Sequence, residues 1–298
     1  MRVAVIQQAN SDDLAANMAR SEALVRDAAA QGAELVMLQE LHRSLYFCQR
    51  EDTHCFDLAE TIPGPSTERL GALARELGIV LVGSLFEKRA TGLYHNTAVV
   101  MERDGSLAGT YRKMHIPDDP GFYEKFYFTP GDADFNDGRS GFSPIQTSVG
   151  KLGLLICWDQ WYPEAARLMA LAGAEILLYP TAIGWDLNDD DAEKERQRDA
   201  WITVQRAHAI ANGVPVIVAN RTGYEAAPDG SDDGVQFWGN SFIAGPQGEF
   251  LAHADADSEL ALVADIDMKR SEAVRRIWPY LRDRRVDAYG DLLKRYRD

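Results

Sequence analysis

Cysteine is scarce, with 3 in 298 residues. An odd and sparse set does not make a disulfide framework, so Cys48, Cys55 and Cys157 are read as free thiols. Long apolar runs are missing too. No stretch approaches the roughly 18–20 residues that a membrane span needs, so no membrane partner is expected. The opening Met1-Arg2-Val3-Ala4-Val5-Ile6 enters a strand-like run and lacks the longer apolar segment and cleavage site of an export signal, which gives an expectation of a cytoplasmic protein. Basic residues are the minority, 31 Lys and Arg against 46 Asp and Glu, for a net charge of −15. That argues against a nucleic-acid partner, which needs clustered cations. An acidic surface favours solubility, and it can also draw a cationic substrate inward. With no linker and no low-complexity tract, residues 1–298 are expected to form a single domain.

A hydrophobic fraction of 46% and an aromatic fraction of 9% supply the core of an enzyme-sized globular protein. Val3–Gln7 reads as a strand, 17–31 as a helix stopped by Gly32, and Leu35–Leu38 as a second strand. A helix over Ser66–Leu77 and strands at Ile79–Ser84, Thr97–Met101 and Leu107–Tyr111 come next, with Asp104-Gly105 as a hairpin turn. Residues 112–141 break the pattern. They are rich in Pro, Gly, Asp and aromatics, and a loop this long in a compact protein is usually functional. Strand–helix alternation then resumes, with Leu152–Ile156, a helix over Pro163–Ala172, Glu175–Tyr179, a helix over Glu193–Asn212, and Pro215–Ala219. Strands near Ser241–Ala244, Phe250–His253 and Leu260–Asp265 close the series. Helices covering one face of each of two mixed sheets give a layered α/β sandwich. The tail from about 268 to 298 carries Trp278, Tyr280, Leu281 and Tyr289, and is expected to pack on a neighbouring subunit or on the chain's own surface.

Cys157 stands at the end of an apolar strand, where open α/β sheets usually place their chemistry. Buried cysteines are also common as small core hydrophobes, and in a binding module Cys157 has no other role. A cysteine nucleophile needs a base, donors for a developing oxyanion, and a wall against water. None of the 6 histidines has a context that marks it as the base. A buried carboxylate can do the same work. Glu40 follows the strand Leu35–Leu38 directly, Lys113 follows Leu107–Tyr111, and Glu124 lies in the aromatic run 122–128. His42, Cys48, His54 and Cys55 do not follow the paired spacing of a zinc site, so no metal is expected.

The segment Gly150 to Asp159, continuing through Trp161-Tyr162-Pro163-Glu164, resembles the nucleophile motif of the nitrilase superfamily, the carbon–nitrogen hydrolases. Glu40 matches its general-base glutamate, Tyr111-Arg112-Lys113 its lysine motif, and Glu124 the second glutamate that many members carry. These matches run in order from Val3 to about Asp267. The resemblance implies a four-layer αββα sandwich, often assembled as a homo-oligomer, and a thioester mechanism without cofactor. In it Glu40 takes the proton of Cys157, and Lys113 with the backbone N–H of Trp158 holds the oxyanion. Glu124 orients Lys113 or the substrate, and the charge of Lys113 favours the thiolate.

The loop 115–132, Cys157-Trp158-Asp159-Gln160-Trp161 and 179–184 resemble the N-carbamoylputrescine amidohydrolases of that superfamily. Their substrate is a small carbamoyl amine with a free ammonium at its far end. Asp186 matches the position of an acid for that amine, where glutamate is usual, with Tyr46 and Trp185 as wall residues. Met114 replaces a small polar residue, and residues 133–141 read as a longer, flexible connection than relatives have. Another N-carbamoyl amine, N-carbamoyl-β-alanine or an ω-amide stays open as the substrate.

Overall fold

A computed structural model describes residues 1–132, 141–227 and 234–297; residues 133–140 of the expected long connection lie outside them. The first half contributes β1 (Arg2–Gln7), α1 (Leu14–Ala30), β2 (Leu35–Met37), α2 (Pro65–Leu77), β3 (Val80–Ala90), β4 (Leu93–Met101) and β5 (Leu107–Arg112). The short helix α3 (Glu124–Tyr127) and β6 (Ile145–Thr147) lie between the halves. The second half contributes β7 (Gly150–Leu154), α4 (Pro163–Leu171), β8 (Ile176–Pro180), β9 (Gly184–Asp186), α5 (Asp191–Asn212) and β10 (Val216–Ala219). After these come β11 (Thr222–Glu225), β12 (Val235–Trp238), β13 (Phe242–Ala244), β14 (Phe250–His253), β15 (Leu260–Asp265) and α6 (Met268–Ile277).

The strands build a sheet in the order β15-β1-β2-β3-β4-β5 and a second in the order β14-β13-β10-β8-β7-β6. Successive strand residues point to opposite faces, and the core divides accordingly. Val3, Val5, Leu35, Met37, Val80 and Val82 meet Leu152, Leu154, Ile176, Leu178 and Ile217 between the two sheets. Ala4, Ile6, Val36, Leu81 and Val99 face Val25, Ala28, Leu70, Leu73 and Ala74 of α1 and α2. Ala165, Met169, Trp201 and Ala209 of α4 and α5 cover the outer face of the second sheet. This is the four-layer αββα arrangement, and burial on both faces explains why the central strands read as unbroken apolar runs.

Strand direction decides which ends can share a site. β2 is parallel to β3, β3 is antiparallel to β4, and β4 is antiparallel to β5. Two reversals restore the original sense, so the carboxyl ends of β2 and β5 lie at the same end of the sheet. β7, β8 and β10 run parallel in the other sheet. The third, small sheet β11-β12-β9 is not expected from the sequence. Its strands are only three or four residues long and are broken by Gly184 and Gly223, which leaves too little periodicity to detect. The end of α6 and the tail beyond it leave Ile277, Val286 and Leu293 at 75%, 71% and 95% exposure among the described residues.

His42, just beyond β2, is fully buried, and its Nδ1 shares a 3.0 Å hydrogen bond with the Ser84 carbonyl. Burial pushes the imidazole down to about 4, so it stays neutral in the fold. The unfolded chain then binds more protons between about 4 and 6.5, and the stability from neutral His42 is present above that window and lost through it as pH falls. A shift of that size is worth about 3 kcal/mol. For His42→Gln, the difference in unfolding free energy from the wild type should narrow by about 3 kcal/mol between pH 7 and pH 4, measured by urea titration. A constant difference would show that His42 titrates normally.

Candidate active site

Four polar side chains converge where β2, β5 and β7 end. Glu40 lies three residues past β2, Lys113 one past β5, and Cys157 three past β7. The expected strand Leu152–Ile156 stops at Leu154, and Cys157 opens a short turn of 3-10 helix, Cys157–Trp161. Its φ of 43° is left-handed, a conformation that costs a non-glycine residue about 1–3 kcal/mol and projects the thiol sharply off the strand. Trp158 is the second residue of that turn, where N–H groups have no partner within the helix.

Lys113 is fully buried, and its Nζ donates to Glu40 Oε1 at 2.9 Å and to Glu124 Oε2 at 2.6 Å. Burial alone would depress its pKa; the carboxylates of Glu124 and Glu40 outweigh it and hold Lys113 well above the ordinary lysine value. It is a fixed ammonium. Glu124 is pushed up to about 7, first by burial and further by the charge of Glu40, with Lys113 pulling the other way. Its Oε1 accepts the Tyr46 hydroxyl at 2.8 Å. Asn96 Nδ2 donates to Glu40 Oε1 at 2.6 Å. Oε1 thus holds two partners, whereas Glu40 Oε2 is buried with none. A buried acceptor with no donor is costly and is suited to receive a proton.

Cys157 is 5% exposed, and its Sγ is 4.0 Å from the Ala182 carbonyl. Burial and the charge of Glu40 push its thiol well above the ordinary cysteine value, while Lys113 lowers it only in part. The charge of Lys113 does favour the thiolate, as expected, but burial and Glu40 outweigh it. The resting group is a thiol, and a base must take its proton.

A cavity of about 450 Å³ opens onto this cluster, lined by Tyr46, Phe122, Glu124, Cys157, Trp158, Trp161 and Trp238 among others. That size suits a small-molecule ligand. Asp119, Asp186 and Asp189 border the same cavity, and among the described residues no Lys, Arg or His lines it. Asp186 Oδ1 accepts from Asn188 N at 2.9 Å and Nδ2 at 3.1 Å, and Asp189 Oδ2 accepts from Gln197 Nε2 at 2.8 Å. Trp185, expected in the wall, stands one layer back. Its ring packs 5.7 Å from Trp238 and its indole N–H donates to the Lys194 carbonyl at 2.9 Å. Asn96, Asp119 and Trp238 carry no mark in the sequence that would single them out. Asn96 sits inside a strand, and its partner Glu40 is 56 residues away.

Behind Cys157, Asp159 accepts the Tyr111 hydroxyl at 2.7 Å, the His115 backbone N–H at 3.0 Å and the Ile156 N–H at 2.9 Å. Tyr111 and His115 flank Lys113, so one buried carboxylate fixes the lysine strand against the cysteine turn. Among the described residues, no three His, Cys, Asp or Glu side chains stand where they could share a metal ion. What the cluster offers is a carboxylate acceptor, a thiol, and two donors for a negative oxygen.

The carbon–nitrogen hydrolase family profile matches residues 2–276. The chain is 45% identical over 293 residues to an N-carbamoylputrescine amidase of Arabidopsis thaliana, covering 98% of this chain and 94% of that one. It is 40% identical over 297 residues to a citrullinase of Francisella tularensis subsp. tularensis, covering 99% of each. A crystal structure of a carbon–nitrogen hydrolase from Helicobacter pylori G27 superposes with a TM-score of 0.94 at 55% identity, covering 100% of this chain and 99% of that one.

Proposed function

The chain belongs to the carbon–nitrogen hydrolase family, and from that premise we propose that it hydrolyses N-carbamoylputrescine to putrescine, ammonia and CO2, with Cys157 as nucleophile. The observation that carries the substrate is the cavity's charge: three aspartates border it and no cation lines it among the described residues. A distal ammonium is attracted there. The α-carboxylate of citrulline, or the carboxylate of N-carbamoyl-β-alanine or an ω-amide, would meet like charge without a counter-ion.

Glu40 Oε2 takes the thiol proton as Sγ attacks the ureido carbon. The carbonyl oxygen becomes an oxyanion facing Lys113 Nζ and the Trp158 N–H. Protonated Glu40 gives its proton to the departing nitrogen, and the C–N bond breaks to leave a thiocarbamate on Cys157. Water enters, Glu40 takes its proton, and hydroxide displaces the thiolate, which Glu40 reprotonates. The released carbamic acid falls apart to CO2 and whichever of putrescine or ammonia has not yet left, so either nitrogen can leave first with the same products. Glu124 acts by holding Lys113 and Tyr46 in place.

The test is ammonia release from N-carbamoylputrescine, citrulline, N-carbamoyl-β-alanine and glutaramate. N-carbamoylputrescine should lead each of the others in kcat/KM by at least about tenfold, or ~1.4 kcal/mol. Preference for citrulline or glutaramate would refute the substrate assignment. Asp119→Asn combined with Asp186→Asn should raise KM for N-carbamoylputrescine about tenfold, because two rim charges close to an ammonium are together worth on the order of 1 kcal/mol. The same pair should leave the uncharged analogue N-carbamoylbutylamine unchanged; equal effects on both would remove the amine-recognition role. The exposed apolar tail beyond α6 is assigned to contact with other copies of this chain, in a cytoplasmic homo-oligomer. Light scattering that returned a monomer mass would contradict that assembly.

A further inference from the structure

Arg221 is fully buried just beyond β10, on the side of the cluster opposite Lys113 in the hydrogen-bond chain. Its Nη2 donates to the carbonyls of Glu40 at 3.1 Å and Leu41 at 3.0 Å. Its Nη1 donates to the Ser44 carbonyl at 2.9 Å and to Glu225 Oε1 at 2.5 Å. Glu225 at the end of β11 is 2% exposed, and its Oε2 accepts the Tyr46 N–H at 2.6 Å. The guanidinium also lies 5.2 Å from the Phe237 ring centroid. Every named contact of this ion pair except that ring falls on the turn 40–46.

That turn needs holding. Leu41 has φ of 48°, left-handed for a side chain that disfavours it, and Arg221 grips the carbonyls of Leu41 and of the residue before it. The turn carries the catalytic cluster at both ends. Glu40 presents its free Oε2 from one end. From the other, Tyr46 donates to Glu124, which binds Lys113, which returns to Glu40. A closed loop of contacts therefore runs Arg221–Glu225–Tyr46–Glu124–Lys113–Glu40 and back to Arg221. Burying a charge pair costs as much as it returns, and apolar replacement is often neutral for stability, so stability is a weak reason for a guanidinium here. Only its planar array of donors spans three carbonyls and a carboxylate at once.

We propose that Arg221 and Glu225 form a positioning pair that aims the free oxygen of Glu40 at the Cys157 thiol and, through Tyr46, fixes Glu124 beneath Lys113. This rests on the reading of Glu40 as the base. The test pairs Arg221→Met with Glu225→Leu, which removes both charges and leaves neither unpaired, and scores it beside Arg221→Lys. The double variant should keep its melting temperature within a few degrees while kcat falls about 10²-fold and KM stays within about threefold, the scale expected for a misplaced catalytic group. Alkylation of Cys157 by iodoacetamide, which needs no knowledge of the substrate, should shift its midpoint to lower pH as the charge of Glu40 is turned away from the thiol. Arg221→Lys, which keeps the charge and loses the planar fork, should recover less than a tenth of the lost turnover. A folded double variant with kcat within threefold of wild type overturns the proposal. If the double variant does not fold, Arg221→Lys with wild-type kcat overturns it equally. Glu40→Gln separates the two layers. If that variant turns over normally, the base assignment fails; if it is inactive while the Arg221 variants are not, the positioning role alone fails.

Discussion

Glu40→Gln is expected to give a folded protein whose kcat is lower by about 10⁴-fold or more, since one group serves as acid and base in both half-reactions. The fold should survive because glutamine is isosteric. Its carbonyl oxygen can still accept from Asn96 Nδ2 and Lys113 Nζ, as Glu40 Oε1 does. What disappears is the unpartnered Oε2. A second readout moves the opposite way. Because the charge of Glu40 raises the Cys157 thiol, removing it lets the thiol ionise more readily, and the alkylation midpoint of Cys157 should move to lower pH. Lost turnover together with easier ionisation is the signature of a base. A merely structural glutamate would lose turnover and disturb alkylation through unfolding, which the melting temperature would reveal.

Lys113→Met should reduce kcat by about 10³-fold, the upper range for deleting one oxyanion donor. Here the fold is affected as well. The ammonium is the shared partner of Glu40 and Glu124 in a fully buried site, and removing one member of a buried pair typically costs about 3–5 kcal/mol. The sign of the pH response comes from Glu124. Already pushed up to about 7, with Lys113 opposing the rise, it will titrate higher still without the lysine. A carboxyl whose folded pKa is raised stabilises the protein below its unfolded value and loses that contribution as pH climbs through the folded value. Lys113→Met should therefore be more stable near pH 5 than near pH 8, relative to wild type, in paired urea titrations. Stability loss that is the same at both values would show that Glu124 does not take up the missing charge as a proton.

The positions proposed as catalytic are legible in the sequence for a simple reason. Glu40 and Cys157 each follow an apolar run that ends abruptly, Lys113 follows the strand-forming stretch Leu107–Arg112, and a polar group at such a point stands at a strand's carboxyl end. Arg221 satisfies the same rule, because it comes two residues after Val218-Ala219, but the carbonyls it holds on the turn 40–46 are 177 to 181 residues away and only the fold brings them together. Asn96 hides inside a strand, where alternation makes any polar residue look solvent-facing. The wall is less legible than the chemistry. Trp185 and Trp238 are cross-strand neighbours in a sheet too short to show periodicity, and which of the two meets the cavity depends on the pairing Gln236 with Trp185. The state of the thiol is hard to read from sequence because a lysine nearby suggests a thiolate, whereas burial and the charge of Glu40 outweigh it.

The chemistry proposed for this site stands or falls on a covalent bond between the carbamoyl carbon and Cys157. Rapid acid quenching during turnover of N-carbamoylputrescine labelled with an isotope on the ureido carbon, followed by mass analysis of the cysteine-containing peptides, detects that bond. The label should appear on the peptide that carries Cys157, be absent from those carrying Cys48 and Cys55, and vanish with product formation in Cys157→Ala. Label on another residue, or wild-type product formation by Cys157→Ala, would contradict a cysteine nucleophile at this position.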